Sequence, residues 1–263
     1  QTGYRDLDEM TGGLHGDELT IVAARPAVGK TAFMLSAAYN IARRLDADVT
    51  ICSLEMSRDQ LLIRLLAMET RIDTHRLRMF HLNEGEQERV MTALPGIAQL
   101  PVFIADISAM TTDQIRLSTI RHITKRQRPC VPVVDYLQLM GSTRQRENRV
   151  QDVSEISRAM KNLSRELHVP VIALSQLSRA VEGRSSHVPM LSDLRESGSL
   201  EQDADNVWFI YREELYDQES DKKGIAELHI AKHRQGAIGV VPLRFDAATT
   251  RFDTLSYRSP EGY

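Results

Sequence analysis

The sequence predicts an α/β fold: a mostly parallel central sheet with helices on both faces. Two observations carry the prediction. Short, almost wholly apolar runs such as Leu19–Ala23, Val49–Leu54 and Val169–Leu174 alternate with longer segments of helical composition. Strands that lack polar alternation are strands buried on both faces, and that is the habit of parallel sheets between helix layers. The second observation is the turn Arg25-Pro26-Ala27-Val28-Gly29, followed by Lys30-Thr31 and a run of good helix formers from Ala32 to Ala38. Strand, turn, Gly-Lys-Thr, helix is the context of a phosphate-binding loop.

Composition sets the outer limits. The chain has 263 residues, of which 42% are hydrophobic, enough for one sizeable core. A formal net charge of −3 excludes a uniformly basic nucleic-acid surface and leaves room for a local one. Cys52 and Cys130 share no metal-ligand spacing and read as small core residues of a reducing, cytoplasmic protein. No apolar run approaches the ~20 residues of a membrane span, so no membrane partner is expected. Residues 1–263 read as a single domain, without internal repeats. The start at Gln1 suggests one domain of a longer protein.

The elements follow in order. Gln1 to Gly16 is a polar lead with turns at Gly12-Gly13 and Gly16-Asp17. The first strand and phosphate-loop helix come next, then the strand Val49–Leu54, ending in Glu55. Ser57-Arg58-Asp59-Gln60 has capping-box spacing and opens a helix through Leu61, Leu65 and Met68. Residues 70–99 read as polar helix, with a further cap at Asn83 to Glu86. Val102–Asp106 is a third strand, and Thr111 to Gln114 caps the next helix. Val131–Val134 is a fourth strand, in which Pro132 removes a ladder donor and places the start of pairing at Val133. After a polar loop at 141–148, Val150, Val153, Ile156, Met160, Leu163 and Leu167 recur at three and four residues on a long helix. The fifth strand ends in Ser175-Gln176. A polar segment, 178–198, leads to the strand Asn206–Tyr211. A charged connection and two late strands, Ala226–Ala231 and Gly239–Phe245, complete the fold, with a frayed tail from Ser256.

In open α/β sheets ligands sit beyond the carboxyl ends of the strands. The candidate site therefore gathers residues 25–32, namely Arg25, Pro26, Ala27, Val28, Gly29, Lys30, Thr31 and Ala32, with Glu55, Asp135 and Gln176. Lys30 suits the β- and γ-phosphates, and the Thr31 hydroxyl suits Mg²⁺. Ala24 stands where the phosphate-loop pattern has its first Gly, and so keeps strand geometry. Asp135, after Val133-Val134, fits a Walker B carboxylate or a strand-end cap. Glu55 is either a base for an attacking water or first-turn helix decoration. Gln176, being neutral, would sense a γ-phosphate by hydrogen bonding. Lys232 and Arg234 are either an arginine finger, in cis or from a neighbouring subunit, or a solvated hairpin tip. Arg195-Glu196-Ser197-Gly198 suits a sequence-independent grip on a nucleic-acid backbone. The histidines show no ligand spacing.

Several blocks together, AARPAVGKT, SLEM, VVDYLQLM, PVIALSQLSRAVE, LSDLRESGSLEQDAD and AKHRQG, resemble the bacterial replicative DNA helicases of the DnaB family. The resemblance runs from Thr2 to about Phe252. It accommodates Ala24 and departs at Pro132 and Ala105. It implies a RecA-like ATPase domain working as a homo-hexameric ring on single-stranded DNA, with ATP and Mg²⁺. By motif it makes Glu55 the catalytic base, Asp135 the Mg²⁺ carboxylate and Gln176 the link from γ-phosphate to DNA. It sends Lys232 and Arg234 into the adjacent subunit's site. It places Arg195, Glu196 and Gly198 on a channel loop that holds DNA. Family members also carry an N-terminal collar domain and linker, to which primase contacts are attributed. Neither precedes Gln1 here, so ring assembly by this chain should be weakened, and primase and loader would engage the full-length protein. Two other readings remain: a recombination or repair ATPase of the same fold, and a nucleotide-gated DNA-binding module without useful turnover.

Overall fold

A computed structural model describes residues 1–45, 47–106, 110–140 and 149–255. Nine strands form one sheet: β1 (Leu19–Ala24), β2 (Asp48–Ser53), β3 (Val102–Asp106), β4 (Cys130–Asp135), β5 (Val171–Gln176), β6 (Asn206–Tyr211), β7 (Ile225–His233), β8 (Gly239–Asp246) and β9 (Arg251–Thr254). Their order is β3-β2-β4-β5-β1-β6-β7-β8-β9. The pairs from β3 to β6 are parallel, and those from β6 to β9 are antiparallel.

Alternate strand residues feed two cores. Val22, Ile51, Val133, Leu174 and Trp208 face one side, under α1 (Arg5–Thr11), α2 (Lys30–Arg44), α3 (Arg58–Thr70) and α5 (Glu84–Gln99). Ile21, Cys52, Val134, Ala173 and Phe209 face the other, under α6 (Thr112–Arg126), α7 (Arg149–Leu167) and α8 (Gly198–Asp203). The short α4 (Thr74–Arg78) joins α3 to α5. Capping boxes open α3 at Ser57/Gln60, α5 at Asn83/Glu86 and α6 at Thr111/Gln114, as the sequence spacing requires. The late strands bury one face only: in β7, Ala226, Leu228 and Ile230 are buried and the residues between them are not.

Three features depart from the sequence reading. The polar lead contains α1, anchored because Tyr4 and Leu7 are fully buried. A ninth strand, β9, adds to the sheet edge and inserts Phe252 into the core. Pairing of β4 does not begin at Val133: the ladder to β2 runs from Cys130, with Thr50 opposite Pro132. Only the ladder to β5 is confined to Val133 and Val134, which is how the sheet tolerates the proline. The polar loop 141–148 and the tail from Ser256 lie outside the described residues.

Candidate functional site

The site grows from the end of β1. Ala24 keeps strand geometry, in register with Gln176 at the end of β5. The chain then turns sharply. Ala27 has φ 64° and Gly29 φ 116°, and α2 begins at Lys30. A Cβ at Gly29 would sit 3.2 Å from the Phe252 ring, so both backbone angle and space select glycine there. Val28 is buried, while Pro26 and Ala27 are exposed at the rim. The turn is braced by Arg212, which donates to Val28 O at 3.4 Å while its guanidinium lies 4.1 Å from the Phe245 ring centroid. The antiparallel wing thus supports the phosphate loop.

A cleft of about 290 Å³ opens over this turn, lined by Arg25 to Ala27, Gly29 to Ala32, Glu55, Arg64 and Gln176. Asp135 lies behind the lining residues Lys30 and Thr31, fully buried. The Thr31 hydroxyl donates to Asp135 Oδ2 at 2.8 Å. Lys30 Nζ stands 3.8 Å from Asp135 Oδ1 and 3.9 Å from the Tyr136 ring centroid. Burial pushes Lys30 below the ordinary lysine pKa, against the pull of Asp135 and Glu55. Burial likewise pushes Asp135 upward, with Lys30 and the Thr31 hydroxyl opposing it. Neither ion is well solvated by the other alone, and the cleft is incomplete electrostatically without a ligand.

That incompleteness fits Mg²⁺ and a phosphate chain. Asp135 Oδ1 is buried with no hydrogen-bond partner among the described residues. Beside it stands the Thr31 hydroxyl, so two hard oxygen donors are presented together. Among the described residues no group of three or more His, Cys, Asp or Glu could hold a metal alone. A cation here would share its coordination with phosphate and water, the habit of Mg²⁺.

Arg25 contributes backbone rather than charge. Its guanidinium is buried and committed elsewhere, donating to Glu182 Oε1 at 2.7 and 2.9 Å and to Leu177 O at 2.7 Å. Gln176 is held from behind by Gln138, whose Nε2 donates to Ser175 Oγ at 2.9 Å and to Gln176 O at 3.3 Å.

Arg64 is the cleft residue that sequence reasoning missed. It lies half-buried on α3, where burial lowers its pKa while Asp135 and Glu55 raise it. A signal existed: Leu61, Leu65 and Met68 form the buried stripe of α3, and position 64 belongs to that inward face. A cation on an apolar stripe needs a reason, and the cleft supplies one.

Lys232 and Arg234 are not brought to this cleft. Lys232 pairs with Val207 at the amino end of β6, and Arg234 N donates to Asp205 O, beside Leu19 at the amino end of β1. The whole length of β1, about 16 Å at ~3.3 Å per residue, separates them from the phosphate loop. The in cis alternative is therefore closed. Arg195 and Glu196 lie in the 3₁₀ segment Leu191–Ser197, and Gly198 begins α8.

The doubly covered sheet with a phosphate cradle at the end of its first strand defines a P-loop α/β domain. The family model for the DnaB-like helicase C-terminal domain matches residues 1–254, and the chain belongs to that family. It is 46% identical over 258 residues to the replicative DNA helicase DnaC of Bacillus subtilis (strain 168), covering 98% of this chain and 57% of that protein. It is 46% identical over 261 residues to the replicative DNA helicase DnaB of Geobacillus stearothermophilus, covering 99% of this chain and 57% of that one. The chain thus spans little more than half the length of these relatives. Among solved structures, an ATPase domain superposes with a TM-score of 0.94 at 38% identity, covering 97% of this chain and 91% of that one. A DnaB-like replicative helicase, described with its interactions with primase, superposes at 0.93 and 39% identity, covering 97% and 63%. Among the described residues no helix is long and apolar enough to cross a membrane.

Proposed function

We propose that this chain is the ATP-hydrolysing motor of a replicative DNA helicase, coupling hydrolysis at subunit interfaces to translocation on single-stranded DNA and duplex unwinding. The observation that carries it is a split site. Lys30, Thr31, Asp135, Glu55 and Gln176 stand at one end of the sheet, and Lys232 and Arg234 stand at the other. A subunit built this way needs a neighbour's cations to complete its cleft, as in a head-to-tail ring.

The geometry supports the following roles. The turn and the first residues of α2 line the cleft, where the unpaired amides and dipole of a helix start favour a phosphate, and Lys30 neutralises the β- and γ-phosphates. Thr31 and Asp135 would hold Mg²⁺, which when bound withdraws charge from the phosphate oxygens. Glu55, at the rim, takes the proton of the attacking water. Gln176, at the end of β5, reports the γ-phosphate along the segment that leads to Arg195, Glu196 and Gly198, which grip the DNA backbone. The motor is one domain of a longer protein whose collar and linker strengthen the hexamer and engage primase and loader, in the cytoplasm.

The test is ATP hydrolysis measured against protein concentration, with and without single-stranded DNA. Specific activity that climbs with concentration and is stimulated by DNA is expected. Activity that stays proportional to protein and indifferent to DNA would mean that each subunit carries a self-sufficient site, and the shared-site motor fails.

A further inference from the structure

The run Ala204-Asp205-Asn206 follows α8 directly, and Asp205 is its most heavily engaged side chain. Asp205 is buried, with its side chain 8% exposed. Its Oδ2 accepts from Leu19 N at 2.8 Å and from Lys161 Nζ at 2.7 Å. Its Oδ1 lies 3.3 Å from Arg234 Nη1. Its backbone oxygen accepts from Arg234 N at 3.0 Å. A buried carboxylate thus ties β1 and α7 to the guanidinium of Arg234.

The end of α8 completes the arrangement. The last carbonyls of a helix lack intrahelical donors and carry the negative end of its dipole. Here Lys232 Nζ donates to Glu201 O at 2.6 Å and to Ala204 O at 2.7 Å, and Arg234 Nη2 donates to Gln202 O at 2.6 Å. The two cations cap the helix whose other end is Gly198. Arg234 is nevertheless 47% exposed at its side chain while its guanidinium is anchored, Nη1 on Asp205 and Nη2 on Gln202 O. A planar fork held at one edge is pre-organised for a second, bidentate partner.

We propose that Asp205 is a positioning residue for the trans-acting Arg234: with the carbonyl end of α8, which also holds Lys232, it presets the Arg234 guanidinium for the phosphates of an adjacent copy. This rests on the reading above that those two cations complete a neighbour's cleft. It makes the DNA-loop helix and the finger one mechanical body. A subunit that shifts α8 on DNA shifts the cations in the next site with it.

The experiment is a double-mutant cycle on ATP turnover by the whole chain, at concentrations where specific activity has levelled off. Asp205→Asn keeps shape and removes charge, and should lower kcat by about tenfold to a hundredfold, the scale of a small misplacement, with KM for ATP little changed. In the Arg234→Ala background it should lower kcat no further, because the group it positions is gone. Lys161→Met removes the other cation on Asp205; it should lower Tm and leave kcat alone. Asp205→Asn without effect, or fully additive with Arg234→Ala, overturns the positioning role while leaving the shared site standing. An equal loss of kcat in Lys161→Met overturns it too, because general loosening then accounts for the effect. Normal turnover in Arg234→Ala overturns both this proposal and the reading beneath it.

Discussion

Lys30 and Asp135 show how a residue-scale conflict marks a site. A nearly buried lysine 3.8 Å from a buried carboxylate that, among the described residues, has no hydrogen bond on one oxygen is a poor structural ion pair. It becomes a good site once a polyanion and a divalent cation are added, because each ion then gains the partner it lacks. Glu55 belongs to the same cleft without being buried in it, since it lines the rim beside Arg64. Its role separates the motor from a nucleotide-gated binding module. Glu55→Gln should preserve ATP binding, followed by the rise in Tm that a saturating ligand produces, and should lower turnover by about 10²–10⁴-fold, the range of general-base loss. Unchanged turnover would place the proton elsewhere and favour the module. The Tm rise itself should shrink when Mg²⁺ is chelated, because Asp135 then has only Lys30 and Thr31 to offset its burial.

Elements that point residues at the cleft must themselves be fastened, and β2 is fastened at its far end. Asp48 begins β2 and is fully buried. It accepts from His122 Nε2 at 2.8 Å and Arg126 Nε at 3.0 Å, both on α6, and Arg128 lies 3.5 Å away. Burial works to raise the Asp48 pKa, but the hydrogen bonds from Arg126 and His122 outweigh it and hold the carboxyl below its usual range. A depressed folded pKa contributes stability above the unfolded value of ~4 and loses it as pH falls through the folded value. Stability against urea should therefore fall as pH drops below about 5, partly through Asp48. Asp48→Asn should cost about 1–3 kcal/mol at neutral pH, since the arginines it leaves behind reach solvent, and flatten that acid limb. Elements of this kind differ in how legible they were. The phosphate loop, the capped helices and the parallel strands were legible because local pattern and burial agree. Helix α1 was not, since seven residues give too little period, and its anchors Tyr4 and Leu7 stand out only once packed in the core with α2. Strand β9 has four residues with one buried apolar side chain, Phe252, and exists because β8 offers it an edge. Asp48 was invisible for a different reason: its cations lie 74 to 80 positions away. Within the site, the phosphate loop, Asp135 and Gln176 were readable as strand-end residues. Arg64 and Asp205 were not, because what they face is set by tertiary packing.

At the scale of the whole molecule, the sheet acts as a spacer with a phosphate cradle at one end and a cationic pair at the other. An assembly that uses both ends must repeat head to tail, so that each interface joins one copy's cradle to the next copy's cations. This can be tested without knowing the ring's size. Lys30→Ala should disable a subunit's own cleft while leaving its Arg234 available to a neighbour. Arg234→Ala should do the reverse, lowering its neighbour's turnover by roughly 10³-fold or more, the worth of an arginine finger. Each variant alone should be nearly inactive. An equimolar mixture, allowed to exchange subunits, should regain roughly a quarter of wild-type turnover, because random mixing of a head-to-tail contact pairs an intact cradle with an intact finger at one interface in about four. Recovery should follow mixing with the kinetics of subunit exchange and should vanish on dilution. A mixture no more active than its parts would mean that cradle and cations never meet across an interface. The separation of Lys232 and Arg234 from the phosphate loop would then be a matter of fastening α8 alone.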